Sequence, residues 1–157
     1  MIEPVRKLYR LLIAVASSFQ SLLLLAVRLY WGWQFMQTGW GKLHHLDRVT
    51  QFFTSLGIPA PGLNAGFVSG LELVGGVLLA LGLASRPVAL LFVGDMLVAY
   101  ITADRASFFS FFSDPGKFVG AAPCTFLCAS LLILIFGPGR FSLDALADRW
   151  FTGRTAG

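Results

Sequence analysis

The sequence predicts an all-α integral membrane protein in which the whole chain, residues 1–157, forms one domain built as a bundle of four membrane-spanning helices. Hydrophobic residues make up 56% of the chain and charged residues only 13%, whereas soluble domains carry about 25% charged residues. Four apolar stretches approach the length of about 20 residues that crosses a bilayer. We expect them to span the membrane over about 19–41, 63–85, 87–103 and 119–137.

The distribution of positive charge predicts the orientation of the chain. Lys and Arg concentrate on the cytoplasmic side of spanning helices. With four spans, seven positive residues fall on one side: Arg6, Lys7, Arg10, Arg86, Arg140, Arg149 and Arg154. Four fall on the other side: Lys42, Arg48, Arg105 and Lys117. The count predicts that both termini are cytoplasmic, and it explains the net charge of +4 by the lipid bilayer rather than by nucleic-acid binding.

The first apolar stretch, Leu11–Gly41, is longer than one crossing requires. Its 31 residues would measure about 46 Å as a helix, against a hydrocarbon core of about 30 Å. Part of it is therefore expected to lie in the membrane interface, or the helix is tilted. In the loop that follows, Leu46–Leu56 carries Phe and Leu on one side and charged residues on the other. This pattern predicts a short amphipathic helix on the membrane surface.

Glycine and proline mark the other element boundaries. The second span carries Gly62, Gly66 and Gly70, a spacing that lets helix backbones approach closely in lipid. A tight turn is expected from Gly82 to Pro87, so that spans two and three form a hairpin. Gly and Pro at 137–139 end the last span, and residues 142–149 predict a short cytoplasmic helix.

Three spans each carry one ionisable residue in their interior: Arg28, Glu72 and Asp95. A lone charge in hydrocarbon costs from about 3 to more than 10 kcal/mol, so we expect these three residues to pair in one cluster near mid-membrane. The long Arg side chain would bridge their difference in depth. The cluster is either a candidate catalytic site for proton-coupled quinone or thiol redox chemistry or a salt bridge that holds the bundle in register. Gly32 and Gly39 leave space beside Arg28, for a helix or a ligand.

Aromatic and basic residues near this cluster are candidate quinone contacts. Trp31 and Trp33 could stack on a quinone ring, and Lys42 and His44 could contact its polar headgroup. For His44, a solvated loop is the alternative. Trp40 followed by Lys42 is also typical of an interfacial anchor.

Cys124 and Cys128 lie four residues apart and share one face of the fourth span. They could form a redox pair or a soft-metal site for Cu(I), or they could simply pack as small apolar residues. Helix geometry disfavours a disulfide at this spacing. Because no other metal-ligand pattern occurs in the sequence, no metal site is predicted beyond this weak candidate.

Four motifs, taken in order, resemble the DoxX family of small bacterial membrane proteins. They are Arg28–Gly32 with Gly39–Leu43, Phe52–Phe53 with Leu56–Pro61, Glu72–Gly76 with Leu81–Leu83 and Arg86, and Phe136–Arg140 with Ser142–Asp144. The resemblance covers residues 22–146. It implies a four-helix bundle in the bacterial inner membrane, and some members of the family are associated with redox systems. Arg28, Lys42 and Glu72 match recurring family positions, whereas Asp95 and the two cysteines lie outside the pattern.

Two functional hypotheses follow. In the first, the chain is a quinone-linked or redox-associated membrane component, with Arg28 orienting the ligand, a carboxyl relaying protons and a partner subunit supplying electrons. In the second, it is a non-catalytic assembly factor or scaffold, whose glycine-rich faces associate with other subunits or with a second copy. A small-molecule carrier is a weaker alternative, because four short helices without an inverted repeat do not fit that class.

Overall fold

The computed structural model describes residues 2–152, and this range is helical without strands. The helices are α1 Ile2–His44, α2 Leu46–Ser55, α3 Pro61–Leu81, α4 Ser85–Thr102, α5 Arg105–Phe108, α6 Pro115–Gly120, α7 Ala122–Phe136 and α8 Leu143–Thr152. Among them, α1, α3 and α4 are long and apolar enough to cross a membrane. The all-α class is confirmed, as are the short helices near 46–56 and 142–149. Arg154, used in the charge count, lies outside the described residues.

The fourth apolar segment forms a shorter helix than the sequence suggests. Its 15 residues measure about 22 Å, less than the hydrocarbon thickness of about 30 Å. Ala121 adopts an extended conformation, and Pro123 lies in the first turn of α7, where its missing N–H costs no helical hydrogen bond. The apolar stretch from residue 119 is therefore divided between α6 and α7.

Helix α1 is about twice as long as a bilayer core is thick, at 43 residues or about 64 Å. All described side chains up to Gln20 are exposed, and burial begins at Ser21 and Leu24. The second half of α1 packs along α3. The part of the chain that exceeds one membrane crossing is thus helical and continuous with the rest of α1. Only the C-terminal half of α1 packs closely against the other described helices.

Glycines set the close approach of α1 and α3. A Cβ atom on Gly32 would lie 2.8 Å from the carbonyl oxygen of Gly76, and one on Gly39 would lie 2.7 Å from that of Ser69. These distances are too short for any side chain. The space beside the two α1 glycines is therefore filled by a helix and not by a ligand.

Gly66 and Gly70 do not pack against another helix of the described chain, so their predicted close approach to a second helix stays a prediction. A Cβ atom on either residue would meet no atom within 4 Å among the described residues, so both face outward. The α1-contacting side of α3 instead carries Ser69, Glu72 and Gly76, which follow one another at three- and four-residue steps along one helical face.

The hydrophobic core lies between α1, α3, α4 and α7. Phe35 of α1 stacks on Phe92 of α4 with ring centroids 3.7 Å apart, and Leu79 and Ile133 are fully buried around them. The buried charged side chains are grouped at the two ends of this core rather than within it. The core therefore separates two polar sites.

Candidate functional site

The first polar site contains an ion pair between α1 and α3. Lys42 Nζ donates to Glu72 Oε1 at 2.7 Å. Glu72 is almost completely buried, with 2% of its surface exposed, whereas about a third of the Lys42 side chain is exposed. Gly39, one turn before Lys42, brings the α1 backbone against Ser69 and Glu72. The Gly39 contact therefore fixes the level at which Lys42 meets the carboxylate.

Asp95 of α4 brings a second carboxylate to the same site. It is close enough to Glu72 and Lys42 for electrostatic interaction with both. Glu72 Oε2 and Asp95 Oδ2 are buried and accept no hydrogen bond from the described residues. A buried acceptor without a donor costs about 1–3 kcal/mol, so these two oxygen atoms favour the approach of a proton or of a hydrogen-bond donor.

The three charged groups line a cavity of about 850 Å³, within the 300–1,000 Å³ typical of small-molecule sites. Much of its apolar wall comes from Phe52 and Phe53 of α2 and from Leu56, the residue directly after α2, and Met96 of α4 adds to it. Helix α2 packs against α3. The surface helix predicted over 46–56 therefore also covers one side of a polar and apolar cavity. We call this the α2 cavity.

Arg28 does not belong to this site, so the predicted cluster of three charges is wrong. Its guanidinium is buried and donates to the carbonyl oxygens of Pro138 at 2.6 Å and Phe141 at 2.7 Å, in the segment between α7 and α8. Arg28 precedes Lys42 by 14 residues, or about 21 Å along α1. An Arg side chain cannot bridge that distance. Its two Nη atoms bond to backbone carbonyls instead, and Asp144 is the acidic residue that interacts with it electrostatically.

Asp144 lies at the same end of the core as Arg28. Asp144 accepts hydrogen bonds from the backbone N–H groups of Ala84 at 2.8 Å and Ser85 at 2.9 Å, and so caps the start of α4. The tight turn spans only Gly82–Ala84, shorter than the predicted turn to Pro87, which lies inside α4. Arg28 and Asp144 together hold the segment after α7 against the α3–α4 turn, which indicates a structural role.

The other candidate quinone contacts lie outside the α2 cavity. Trp31 packs edge-on against Phe126 of α7, with ring centroids 4.8 Å apart, and Trp33 is 57% exposed. His44 packs on Trp40, and its Nδ1 lies 2.9 Å from the Trp40 carbonyl oxygen. Of the four predicted contacts, only Lys42 lines the cavity.

Five polar residues of the cavity lining were missed from the sequence: Gln37, Thr38, Arg48, Asn64 and Thr102. Thr38 lies four residues before Lys42, so helical spacing from Lys42 is the signal that could have found it. His45, which the sequence pairs with His44 as a possible quinone contact, also lines the cavity. Arg48 lies on α2, and no sequence pattern indicates which way that helix faces the bundle.

The two cysteines are free thiols. Cys124 is buried and Cys128 is exposed. Within residues 2–152, no group of three or more His, Cys, Asp or Glu side chains is arranged to hold a metal ion. The pair therefore stays a weak candidate for redox or metal chemistry, without geometric support from neighbouring ligands.

Comparison with known proteins agrees with the fold and the sequence motifs. The DoxX family model matches residues 23–105. The chain is 37% identical to "Putative oxidoreductase CatD" of Bacillus subtilis (strain 168) over 50% of its own length and 57% of that relative, so it spans less than two thirds of that protein. It is 31% identical to inner membrane protein YphA of Escherichia coli (strain K12), over 70% of the chain and 79% of the relative.

A further relative is inner membrane protein YqjF of Escherichia coli (strain K12), which is 29% identical over 73% of the chain and 84% of its own length. No solved structure matches the chain significantly. The family match covers more than half of the residues, and it includes α3, α4 and the Lys42–Glu72 pair. The chain belongs to the DoxX family.

Proposed function

We propose that this protein is a multi-pass component of the bacterial inner membrane that binds a quinone in the α2 cavity and is linked to redox chemistry there. The observation that carries the proposal is a pair of acids, Glu72 buried and Asp95 half-buried, beside a lysine in an otherwise largely apolar cavity of about 850 Å³. A quinone combines an apolar ring and tail with two polar oxygens. The cavity offers both kinds of surface.

The residues at this site have separable roles in the proposal. Lys42, which keeps two N–H donors beyond its bond to Glu72, would donate to a quinone oxygen. Glu72 and Asp95, ionised when the ligand binds, would relay from solvent the two protons that accompany two-electron reduction of a quinone. Phe52 and Phe53 line the cavity and would contact the ring or its tail. The electrons would come from a redox partner protein, since the chain contains no sequence motif for a redox cofactor of its own.

The proposal includes four crossings, with α7 as the fourth and both termini cytoplasmic. Helix α7 is too short to cross alone, but α6 precedes it directly and extends the apolar segment. The Gly82 turn, Arg28 and the segment before α8 lie together, which supports their being at one membrane surface. The positive charge of the tails and of Arg86 supports the cytoplasmic side.

Quinone extraction tests the proposal directly. The protein is purified from bacterial membranes in mild detergent, extracted with organic solvent and assayed for quinone by mass spectrometry. We expect co-purified quinone, in its oxidised or reduced form, with the wild type, and loss of most of it in Lys42→Met, which removes the donor to the quinone oxygen. His44→Ala is the matched control, because His44 lies outside the cavity. A well-folded wild type without quinone, or equal loss in the control, would contradict the proposal.

One observation favours a second candidate function, a scaffold or assembly factor. The described side chains up to Gln20 of α1 are exposed and include many large apolar groups, and the outward glycines of α3 leave a second surface that permits close approach. Both surfaces would suit association with other subunits or a second copy. A stable partner complex that forms without any quinone, and that is lost in Gly66→Leu or Gly70→Leu, would favour this function over the first.

A further inference from the structure

We propose that the α2 cavity selects the reduced, hydroxyl-bearing form of its ligand, so that a quinol binds more tightly than the corresponding quinone. This inference rests on the proposed function. It concerns which redox form of the ligand the protein retains, and therefore whether binding raises or lowers the midpoint potential of the quinone. The evidence is the balance of hydrogen-bond donors and acceptors at the charged side of the cavity.

Acceptors are in excess at this position. Glu72 Oε2 and Asp95 Oδ2 are both buried and accept no hydrogen bond from the described residues. Glu72 is 98% buried, because only 2% of its surface is exposed, and both residues line the cavity. A ligand placed against them must donate hydrogen bonds, or the oxygen atoms lose contact with water without gaining a partner.

Donors are fewer. The Lys42 ammonium already donates to Glu72 Oε1 at 2.7 Å, and it remains close to both carboxylates. The other donor side chains of the cavity lining are exposed or already donate to backbone carbonyl oxygens. Gln37, His45 and Arg48 are exposed. Thr38, Asn64 and Thr102 donate to the carbonyl oxygens of Phe35, Pro59 and Val98. The buried part of the site thus combines one partly used cation with two unsatisfied carboxylate oxygens.

The two redox forms match this arrangement differently. A quinone has only carbonyl acceptors, so it can use Lys42 but places its lone pairs near two carboxylates. Each hydroxyl of a quinol both donates and accepts. One hydroxyl can donate to Asp95 or Glu72 while accepting from Lys42, which satisfies groups that a quinone leaves unpaired. Sites with buried acceptors discriminate strongly against analogues that lack the matching donor.

The test compares the two forms on the full-length protein. Decylubiquinol and decylubiquinone are each titrated anaerobically into protein in lipid nanodiscs, with protein-free nanodiscs as the partition blank, and binding is followed by calorimetry. We expect the quinol to bind about tenfold more tightly or better, as expected for gaining a hydrogen bond to a charged group. For a two-electron couple, each tenfold preference raises the midpoint potential of the bound quinone by about 30 mV.

Variants locate the preference. In Asp95→Asn and Glu72→Gln the amide supplies a donor, so the ratio of the two dissociation constants should fall towards one. Asp47→Asn is the matched control, because Asp47 is exposed on α2 and outside the cavity, and it should keep the wild-type ratio. The wild-type ratio decides the question even where a variant fails to fold.

The outcomes separate the two proposals. If both forms bind and the quinone binds as tightly as the quinol, or more tightly, the inference is overturned and the proposed function stands. If neither form binds to well-folded protein, the proposed function fails and the inference fails with it. A preference that survives in both carboxamide variants would also overturn the inference, because the carboxylates would not be its cause.

Discussion

Replacing Arg28 by methionine tests the structural role that its contacts indicate. The guanidinium is 1% exposed and donates at 2.6 Å and 2.7 Å to the carbonyl oxygens of Pro138 and Phe141. A hydrogen bond from a charged group contributes about 1.5–3 kcal/mol, so two independent bonds would sum to about 3–6 kcal/mol. The two hydrogen bonds hold the same short segment, so their contributions are not fully independent, and Met keeps part of the packing. We therefore expect the low end of this range, a loss of about 3–4 kcal/mol in the free energy of unfolding.

Reversible unfolding by SDS in mixed micelles, followed by far-UV circular dichroism, measures this loss. Arg28→Lys should lose about half as much, because one ammonium lacks the planar fork that reaches two separate carbonyls. Arg140→Met is the matched control, since Arg140 lies in the same segment but is exposed. Neutral hydrogen bonds between membrane helices average only about 0.6 kcal/mol. A loss below about 1 kcal/mol in Arg28→Met would therefore refute the reasoning that the buried charge matters.

Three further changes test the packing and polar contacts. Asp144→Ala removes the cap on Ala84 and Ser85 and should cost about 1–2 kcal/mol in the same unfolding assay; a cost no greater than that of Asp47→Ala would contradict the capping role. Gly39→Leu should disrupt the α1–α3 contact and abolish a monodisperse elution profile, whereas Gly70→Leu should keep it, because a Cβ atom meets no described neighbour there. Lys42→Met removes the partner of buried Glu72. It should lower the free energy of unfolding by at most about 3 kcal/mol, since Glu72 can take up a proton. Adding Glu72→Gln should recover part of that loss, and a larger loss in the double variant would contradict the pairing.

The class of the fold could be predicted because it depends on amino-acid composition and on the length of the apolar stretches. A chain that is 56% hydrophobic and 13% charged cannot cover its apolar helices with a polar surface of its own, so lipid is the consistent environment. The short helix α2 was also predictable, because its apolar and charged residues alternate with helical periodicity over a stretch bounded by Gly57 and Pro59. A local pattern of this kind predicts a helix independently of how the helices pack against one another.

The pairing of the buried charges could not be predicted, because it depends on axial register and helix rotation. The sequence places Arg28, Glu72 and Asp95 within apolar runs, but the contacts of Gly32 and Gly39 with α3 decide which level of α1 faces Glu72. That level is Lys42, a residue whose position after Trp40 is equally typical of an interfacial anchor. Asp144 was missed for the same kind of reason, since it caps a helix that begins 59 residues earlier.

The separation of the two polar sites leads to a last prediction, on their independence. Arg28 and Lys42 are joined by about 21 Å of α1, with the Phe35–Phe92 core between them. Within the described part of the chain, their side chains share no hydrogen-bond partner. Mutations at distant sites without shared partners usually add within about 0.5 kcal/mol. The unfolding losses of Arg28→Met and Lys42→Met should therefore sum in the double variant, and Arg28→Met should keep its bound quinone. A difference above about 1 kcal/mol between the loss in the double variant and the sum of the two single losses would contradict this independence. It would mean that Arg28 and Lys42 belong to one network of contacts, since they share no partner and a rigid helix alone does not couple them.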